Sequence, residues 1–255
     1  MPETDMSRPA FSDIAVAFAL LTRLPLPRLP DAAYADQARS GWAFGLVGLA
    51  VALIAGAVGL LAMGAGLPVG VAAGLVIATQ MIVTGAMHED GLADTADGLW
   101  GGWTRERRLE IMKDSAIGTY GVLSLIVVVG LRWSALSLLL AHGIWPLIIA
   151  AMASRAVLPG IMSLMPHARS TGLSHSVGAP TAVIAALAAL VGVLPALILG
   201  GPAALLPLIV ALVGVVALCA IARAKIGGQT GDILGAAQQI CETLILLGFV
   251  ITLPQ

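Results

Sequence analysis

A cluster of carboxylates stands directly after an apolar stretch of the chain. Asp90, Asp94 and Asp97 are spaced i, i+4 and i+7, so they would share one face of a helix that continues beyond that stretch. Glu89 lies beside them, and residues 85–104 contain no Lys or Arg, although a solvated acidic helix end normally carries such a cation. Mg²⁺ is usually bound through carboxylates and substrate phosphates. The spacing therefore predicts a magnesium site at Asp90, Asp94, Asp97 and Glu89.

Further polar residues could join the same site. Lys113 and Asp114 lie where an apolar stretch begins, and they could pair with each other or contribute to the metal site. The Gly-rich segment 227–232 could form an anion-binding nest to which Asp232 adds a carboxylate, although a plain turn is the alternative.

Arg132, Arg155 and Glu242 lie inside apolar stretches, where a charge is costly without a partner. Arg155 is expected to face either a cavity or a structural partner. Glu242 is expected to pair inside the helical bundle, with Arg155 as the candidate partner.

The composition identifies the class of protein that must position these residues. The 255 residues are 59% hydrophobic and only 11% charged, the net charge is −1, and the mean hydropathy is +0.99. A chain this poor in charge cannot cover a water-soluble surface. The composition excludes an ordinary soluble enzyme, a disordered protein and a nucleic-acid binder with a basic face. We therefore expect an all-α, polytopic integral membrane protein.

Stretches of about 20 apolar residues mark the segments that could cross a bilayer. About seven transmembrane helices are predicted within a single transmembrane domain of residues 1–255, and they cover 41–63, 67–87, 118–141, 144–164, 180–199, 203–222 and 233–253. The apolar segment 11–22 is too short to span, so it is predicted to be an interfacial or re-entrant helix.

The basic residues predict which side of the membrane the loops face. With seven spans, the N-terminal segment 1–40 and the loops 88–117, 165–179 and 223–232 lie on one side. Every Lys and Arg except Arg132 and Arg155 falls on that side. The positive-inside rule places it in the cytoplasm, so 88–117 is predicted to be a cytoplasmic catalytic loop.

Several blocks of the sequence resemble one enzyme family, in the family's order. The longer blocks are 88–98 (HEDGLADTADG), 110–115 (EIMKDS) and 118–121 (GTYG), and the shorter ones are 22–25 (TRLP), 154–156 (SRA) and 227–232 (GGQTGD). Together they resemble the cobalamin synthase family, whose activity is that of an adenosylcobinamide-GDP ribazoletransferase. The resemblance covers nearly the whole chain.

The resemblance implies a multi-pass enzyme of the bacterial inner membrane. Such an enzyme joins adenosylcobinamide-GDP to α-ribazole or its 5′-phosphate with Mg²⁺, forming adenosylcobalamin or its 5′-phosphate and releasing GMP. The expected partners are these small-molecule substrates and membrane lipid, with no nucleic acid. A homo-oligomer and an association with other enzymes of the cobalamin pathway are left open.

Phosphoryl transfer of this kind needs charge neutralisation and activation of the attacking hydroxyl, which suits the residues singled out above. The expected catalytic residues are Asp90, Asp94, Asp97, Lys113 and Asp114. The expected substrate-binding residues are Arg23, Arg155, Gly228, Gln229, Thr230 and Asp232.

Two other functions are considered. A CDP-alcohol phosphotransferase acting on lipid would use similar chemistry, but the second acidic pair of that family is missing at its expected spacing. A secondary transporter would place its carboxylates near the membrane midplane, often within inverted repeats, and no such repeat is visible here.

Overall fold

The computed structural model describes residues 11–252, and this range is helical with no β-strand. Residues 1–10 of the predicted segment 1–40, and residue 253 of the last predicted span, lie outside it. The helices are α1 (Phe11–Leu21), α2 (Phe44–Gly64), α3 (Val69–Thr84), α4 (Met87–Gly101), α5 (Arg105–Ile111), α6 (Thr119–Leu139), α7 (Trp145–Ala156), α8 (Leu158–Leu164), α9 (Leu173–Val177), α10 (Ala182–Gly200), α11 (Leu205–Ile226) and α12 (Gly231–Thr252).

Several helical stretches are long and apolar enough to cross a membrane. There are five in residues 11–252, or six if α3 and α4 are counted as one bent span. One of the five, Ala182–Ile226, is a 45-residue stretch that contains both α10 and α11, with the 3-10 segment Gly201–Ala204 between them. The all-α, multi-pass membrane fold is confirmed, whereas the predicted number of about seven spans is not.

The acidic cluster lies on a helix of its own rather than on a continuation of the preceding one. Gly85 and Ala86 both have positive φ, at 67° and 55°, and α4 leaves α3 at an angle of 90°. The left-handed conformation is costly for Ala, by about 1–2 kcal/mol. The predicted span 67–87 therefore ends at this bend, and the predicted loop 88–117 contains the helices α4 and α5.

The helix α12 lies at the centre of the bundle and contacts α4, α6, α7 and α11. Small residues allow the closest of these approaches. A Cβ on Gly91 would lie 2.9 Å from the Asp232 carbonyl oxygen, and one on Gly235 would lie 3.2 Å from the Gly91 Cα. Glycine at both positions lets α4 and α12 touch through their backbones.

Hydrogen bonds hold the short helix α1 against the segment that leads into α2. Asp13 is buried, and its carboxylate accepts hydrogen bonds from Arg39 Nε at 2.9 Å and Trp42 Nε1 at 3.1 Å. With 11 residues, α1 is too short to cross a bilayer, as predicted. Whether it is interfacial or re-entrant stays a prediction.

Candidate active site

Two aspartates of α4 come close to the aspartate that begins α12. Asp94 is close enough to be repelled by Asp90 and Asp232, and more weakly by Asp97, and Asp232 is repelled by Asp90 in turn. The side chains of Asp90 and Asp94 have no hydrogen bond or ion pair with any other residue of 11–252. Three acidic groups brought together with Arg169 as their nearby cation are only partly neutralised, which indicates a site for a cationic or proton-carrying group.

A cavity of about 160 Å³ is lined by Asp90 and Asp232, whereas Asp94 does not line it. Most of its lining is apolar, and the lining comes from α1, α2, α4, α8, α9 and α12 and from the loop between α8 and α9. The polar and charged side chains in its lining are His88, Asp90, Arg169, Ser174 and Asp232. A largely apolar pocket with a few convergent polar groups is typical of a small-molecule site.

Arg169 is a residue of this cavity that the sequence analysis did not select. Its Nη2 atom lies 3.2 Å from Asp232 Oδ2, and its charge also attracts Asp94. A signal was present in the sequence, because the acidic stretch 85–104 has no cation and Arg169 is the cation of a loop expected on the same side.

The Gly-rich segment 227–232 places one of its predicted ligands at the cavity. Asp232 lines it, whereas the buried Gln229 and Thr230 do not. Gln229 accepts a hydrogen bond from Ser174 Oγ at 2.6 Å, and its backbone pairs with residues 166 and 168. Gly228 fits closely under Pro166, where a Cβ would collide. The segment therefore holds the loop between α8 and α9 against α12, and substrate contacts by Gly228, Gln229 and Thr230 stay predictions.

Thr230 has a local structural role at the same point. Its hydroxyl donates to Asp232 Oδ2 at 3.1 Å and accepts from the backbone N–H of Ile233 at 3.3 Å. The first bond orients the Asp232 carboxylate, and the second satisfies an N–H group in the first turn of α12.

The carboxylate of Asp97 is directed at α6 rather than at Asp90 and Asp94. It accepts hydrogen bonds from the backbone N–H of Gly118 at 2.7 Å and of Gly121 at 2.9 Å, and its side chain is buried. A carboxylate at a helix N-terminus is stabilised by the unpaired N–H groups there. Both oxygens already have donors, so a role for Asp97 as a metal ligand stays a prediction that the geometry does not favour.

Glu89 also points away from the cavity, into a buried network of charges. Arg132 lies 3.2 Å from Glu89 and 2.9 Å from Glu242, and Gln239 donates to Glu89 at 3.0 Å. Arg155 lies 3.3 Å from Glu242, which confirms the predicted pairing. Neither Glu89 nor Arg155 lines the cavity. Their predicted contacts with metal and substrate stay predictions.

The remaining predicted residues lie away from the cavity lining. Lys113 and Asp114 are exposed and form no ion pair with each other; Asp114 accepts a hydrogen bond from the Ala116 N–H at 3.2 Å. Arg23 lies over the bend between α3 and α4, where a Cβ on Gly85 would be 2.7 Å from its Nε. Their catalytic and substrate-binding roles stay predictions.

Other basic residues near the site hold its helices and loops together by hydrogen bonds to backbone carbonyls. Arg105 donates to the carbonyls of Ile226 at 2.9 Å and Ala168 at 2.6 Å. Arg108 donates to the Lys225 carbonyl at 3.1 Å, and Lys225 Nζ donates to the Leu99 carbonyl at 2.7 Å. These contacts join α5, the C-terminal end of α11 and the loop that carries Arg169.

The donor set at the cavity can be compared with the needs of Mg²⁺. No group of three His, Cys, Asp or Glu side chains in residues 11–252 is arranged to hold a metal ion. Mg²⁺ usually takes one or two carboxylates and completes its coordination with water and substrate phosphates. Asp90, Asp94 and Asp232 supply oxygen donors of this type but are not arranged as a three-carboxylate site, so one or two of them fit an ion that binds together with a phosphorylated substrate.

Comparisons with known proteins agree with the family resemblance of the sequence blocks. The chain is 46% identical over 250 residues to an adenosylcobinamide-GDP ribazoletransferase of Bradyrhizobium diazoefficiens, covering 97% of this chain and 96% of that one. The ribazoletransferases of Mesorhizobium japonicum and Azorhizobium caulinodans are each 42% identical, covering 97% and 94% of this chain and 96% of their own lengths. No solved structure matches the chain. Residues 13–250 match the family described as cobalamin-5-phosphate synthase, and the chain belongs to that family.

Proposed function

We propose that this protein is an adenosylcobinamide-GDP ribazoletransferase. It joins adenosylcobinamide-GDP to α-ribazole or its 5′-phosphate, and GMP leaves. The observation that carries this proposal is the convergence of Asp90, Asp232 and Arg169 at one largely apolar cavity, with Asp94 close enough to interact electrostatically with all three. Family membership makes the substrates named for the relatives the first ones to test.

The reaction moves one phosphoryl group between two oxygen atoms. A hydroxyl oxygen of α-ribazole forms a bond to the phosphorus that is linked to cobinamide, and the bond from that phosphorus to the bridging oxygen of the diphosphate breaks. The hydroxyl loses its proton, and the bridging oxygen leaves on GMP. The protein must therefore accept a proton and stabilise negative charge on the diphosphate.

The carboxylates of α4 and α12 suit these two tasks. Asp90 and Asp94 have no hydrogen-bonding partner in residues 11–252, so either can accept the proton of the attacking hydroxyl. Asp90, Asp94 and Asp232 are the proposed Mg²⁺ ligands. When bound, Mg²⁺ would neutralise charge on the phosphate oxygens.

The proposed location is the bacterial inner membrane, with the cavity facing the cytoplasm. The distribution of basic residues supports this orientation, since Arg105, Arg108, Arg169 and Lys225 all lie around the site. Water-soluble nucleotide substrates would then reach the cavity from the compartment in which nucleotides are made.

Incubation of the purified protein with adenosylcobinamide-GDP, α-ribazole 5′-phosphate and Mg²⁺ tests the proposal. We expect a product with the mass of adenosylcobalamin 5′-phosphate and an equal amount of GMP. A parallel incubation with CDP-diacylglycerol and an alcohol acceptor tests the lipid alternative. Release of CMP there, with no GMP in the first reaction, would overturn the proposal.

A further inference from the structure

Arg169 brings a positive charge to a cavity that is otherwise lined by carboxylates and neutral groups. It lies between α8 and α9, and it is the only Lys or Arg of residues 11–252 that lines this cavity. Its side chain is mostly buried, with 17% exposed. Of the basic residues that surround the site, Arg105, Arg108 and Lys225 donate to backbone carbonyls and do not line the cavity, whereas Arg169 does.

Part of the Arg169 guanidinium has no partner among the residues that the structure describes. Its Nη2 atom donates to Asp232, but its Nη1 atom is buried and makes no hydrogen bond within residues 11–252. A guanidinium carries five N–H donors, and a buried donor without an acceptor is unfavourable. An incoming ligand with acceptor oxygens would satisfy Nη1.

The surrounding loop is shaped to hold this guanidinium in place. Gly172 has φ +105°, and a Cβ at this position would lie 3.2 Å from Arg169 Nε and 3.3 Å from Nη2. Ser174, in the following helix α9, is bonded to the buried Gln229, which ties the loop to the start of α12. Arg169 is therefore oriented before any ligand binds, and this lowers the entropic cost of binding.

We propose that Arg169 binds a phosphate oxygen of the diphosphate in adenosylcobinamide-GDP, an assignment that rests on the proposed function. A planar guanidinium matches phosphate oxygens with two parallel N–H donors, and its charge offsets the charge of the diphosphate. Asp232 both holds Arg169 and belongs to the carboxylate cluster, so the cation lies beside the groups that act on the reacting phosphorus. The position of Arg169 beside the reacting groups favours the diphosphate as its ligand. The 5′-phosphate of the acceptor takes no part in the reaction and is the less suitable candidate.

Steady-state kinetics with two acceptors tests this assignment. In Arg169→Ala we expect the KM for adenosylcobinamide-GDP to rise by roughly tenfold or more, equally with α-ribazole and with α-ribazole 5′-phosphate. Guanidinium ion added to the buffer should restore part of the activity, which it would not do if Arg169 were only structural. A loss confined to α-ribazole 5′-phosphate, or an unchanged KM, would overturn the proposal.

Two further variants control for folding and for general loss of positive charge. Arg169→Lys keeps the charge but not the planar pair of donors, so it should fold and show a raised KM even if Arg169→Ala does not fold. A wild-type KM in a folded Arg169→Lys, together with no rescue of Arg169→Ala, contradicts the proposal. Arg107→Ala is the matched control, because Arg107 is exposed and pairs with the exposed Glu110; its KM should not change.

Direct binding of GDP separates this inference from the proposed function. We expect calorimetry with GDP and Mg²⁺ to show binding to the wild-type protein and roughly tenfold weaker binding to Arg169→Ala. If the wild-type protein shows this Arg169-dependent binding but forms no cobalamin product, the proposed function fails and the phosphate site stands. If the wild-type protein forms product while both proteins bind GDP equally, the assignment of Arg169 fails alone.

Discussion

Asp90, Asp94 and Asp97 carry the same chemical group on one helix, but their surroundings give them different tasks. Asp97 is surrounded by backbone donors at the start of α6, whereas Asp90 and Asp94 have no donor within residues 11–252. A carboxylate whose two oxygens already accept backbone hydrogen bonds must give up those bonds to contact a substrate or a metal, and this costs free energy. Catalysis is therefore expected to depend on Asp90 and Asp94, and stability on Asp97.

Replacing Asp94 tests its expected role in catalysis. Asp94→Asn keeps the size of the side chain but removes its charge and its capacity to accept a proton. We expect GMP release to fall by at least about 100-fold, measured with the purified protein and both substrates. Glu110→Gln, on the exposed face of α5, is the control and should retain wild-type turnover. Normal turnover in a folded Asp94→Asn would remove Asp94 from the mechanism.

Replacing Asp97 tests its expected contribution to stability. Asp97→Ala leaves the N–H groups of Gly118 and Gly121 without their acceptor, and we expect a loss of about 1–2 kcal/mol in stability. Thermal unfolding in detergent measures this loss as a lower Tm. An unchanged Tm together with loss of Mg²⁺-dependent activity would show instead that Asp97 is a metal ligand.

The contact between α4 and α12 decides which acidic residues meet. Asp90 and Asp94 belong to α4 and Asp232 belongs to α12, so their separation depends on how closely these helices approach. The glycines at 91 and 235 allow backbone contact at this point. The 90° bend at Gly85 and Ala86 sets the direction from which α4 arrives.

Adding a methyl group at this contact should separate the carboxylates. In Gly91→Ala the new Cβ would lie 2.9 Å from the Asp232 carbonyl oxygen, so α4 and α12 must move apart, at a cost of about 1–3 kcal/mol. We expect a lower Tm and a lower kcat in the same assay. Gly130→Ala is the control, because a Cβ there meets no atom within 4 Å. Equal behaviour of the two variants would mean that close approach at Gly91 is unimportant.

A buried charge network joins five helices of the bundle behind the site. Arg132 and Arg155 face Glu89 and Glu242, and Gln80 donates to Glu242 at 2.8 Å. These residues belong to α3, α4, α6, α7 and α12, so the network links the acidic helix to the rest of the molecule. Buried charges are tolerated only when paired, and removing one partner leaves another uncompensated.

Replacing Glu242, which pairs with both arginines, tests how much the stability of the whole molecule depends on this network. Glu242→Gln removes the negative charge that faces both Arg132 and Arg155, and we expect a loss of about 3–5 kcal/mol in stability. The measurement is the unfolding midpoint in detergent. Glu106→Gln changes an acid that is 79% exposed, so it should leave the midpoint unchanged. Equal midpoints for the two variants would show that the network contributes little.

Much of the molecule could be predicted from residue types and their order. A protein that lies in lipid has few charges and long apolar stretches. Composition therefore predicts a membrane protein, and the positions of the apolar stretches predict most of its helices. The acidic stretch 88–98 and the segment 227–232 were predicted to meet, and Asp90 and Asp232 from these segments line one cavity. The pairing of Glu242 with Arg155 followed from the cost of a lone charge in an apolar span.

Other features depended on contacts between distant parts of the chain. Spacing along a helix shows which side chains share a face, but not which neighbour that face meets. The sequence therefore does not distinguish Asp97 from Asp94, because the donors to Asp97 come from α6. Arg169 lies at the site because Gln229 binds Ser174 and so holds the loop of Arg169 against α12. Local sequence sets the preference of each segment, whereas the packing of α4, α6 and α12 decides which charges are neutralised within the protein and which stay available to a substrate.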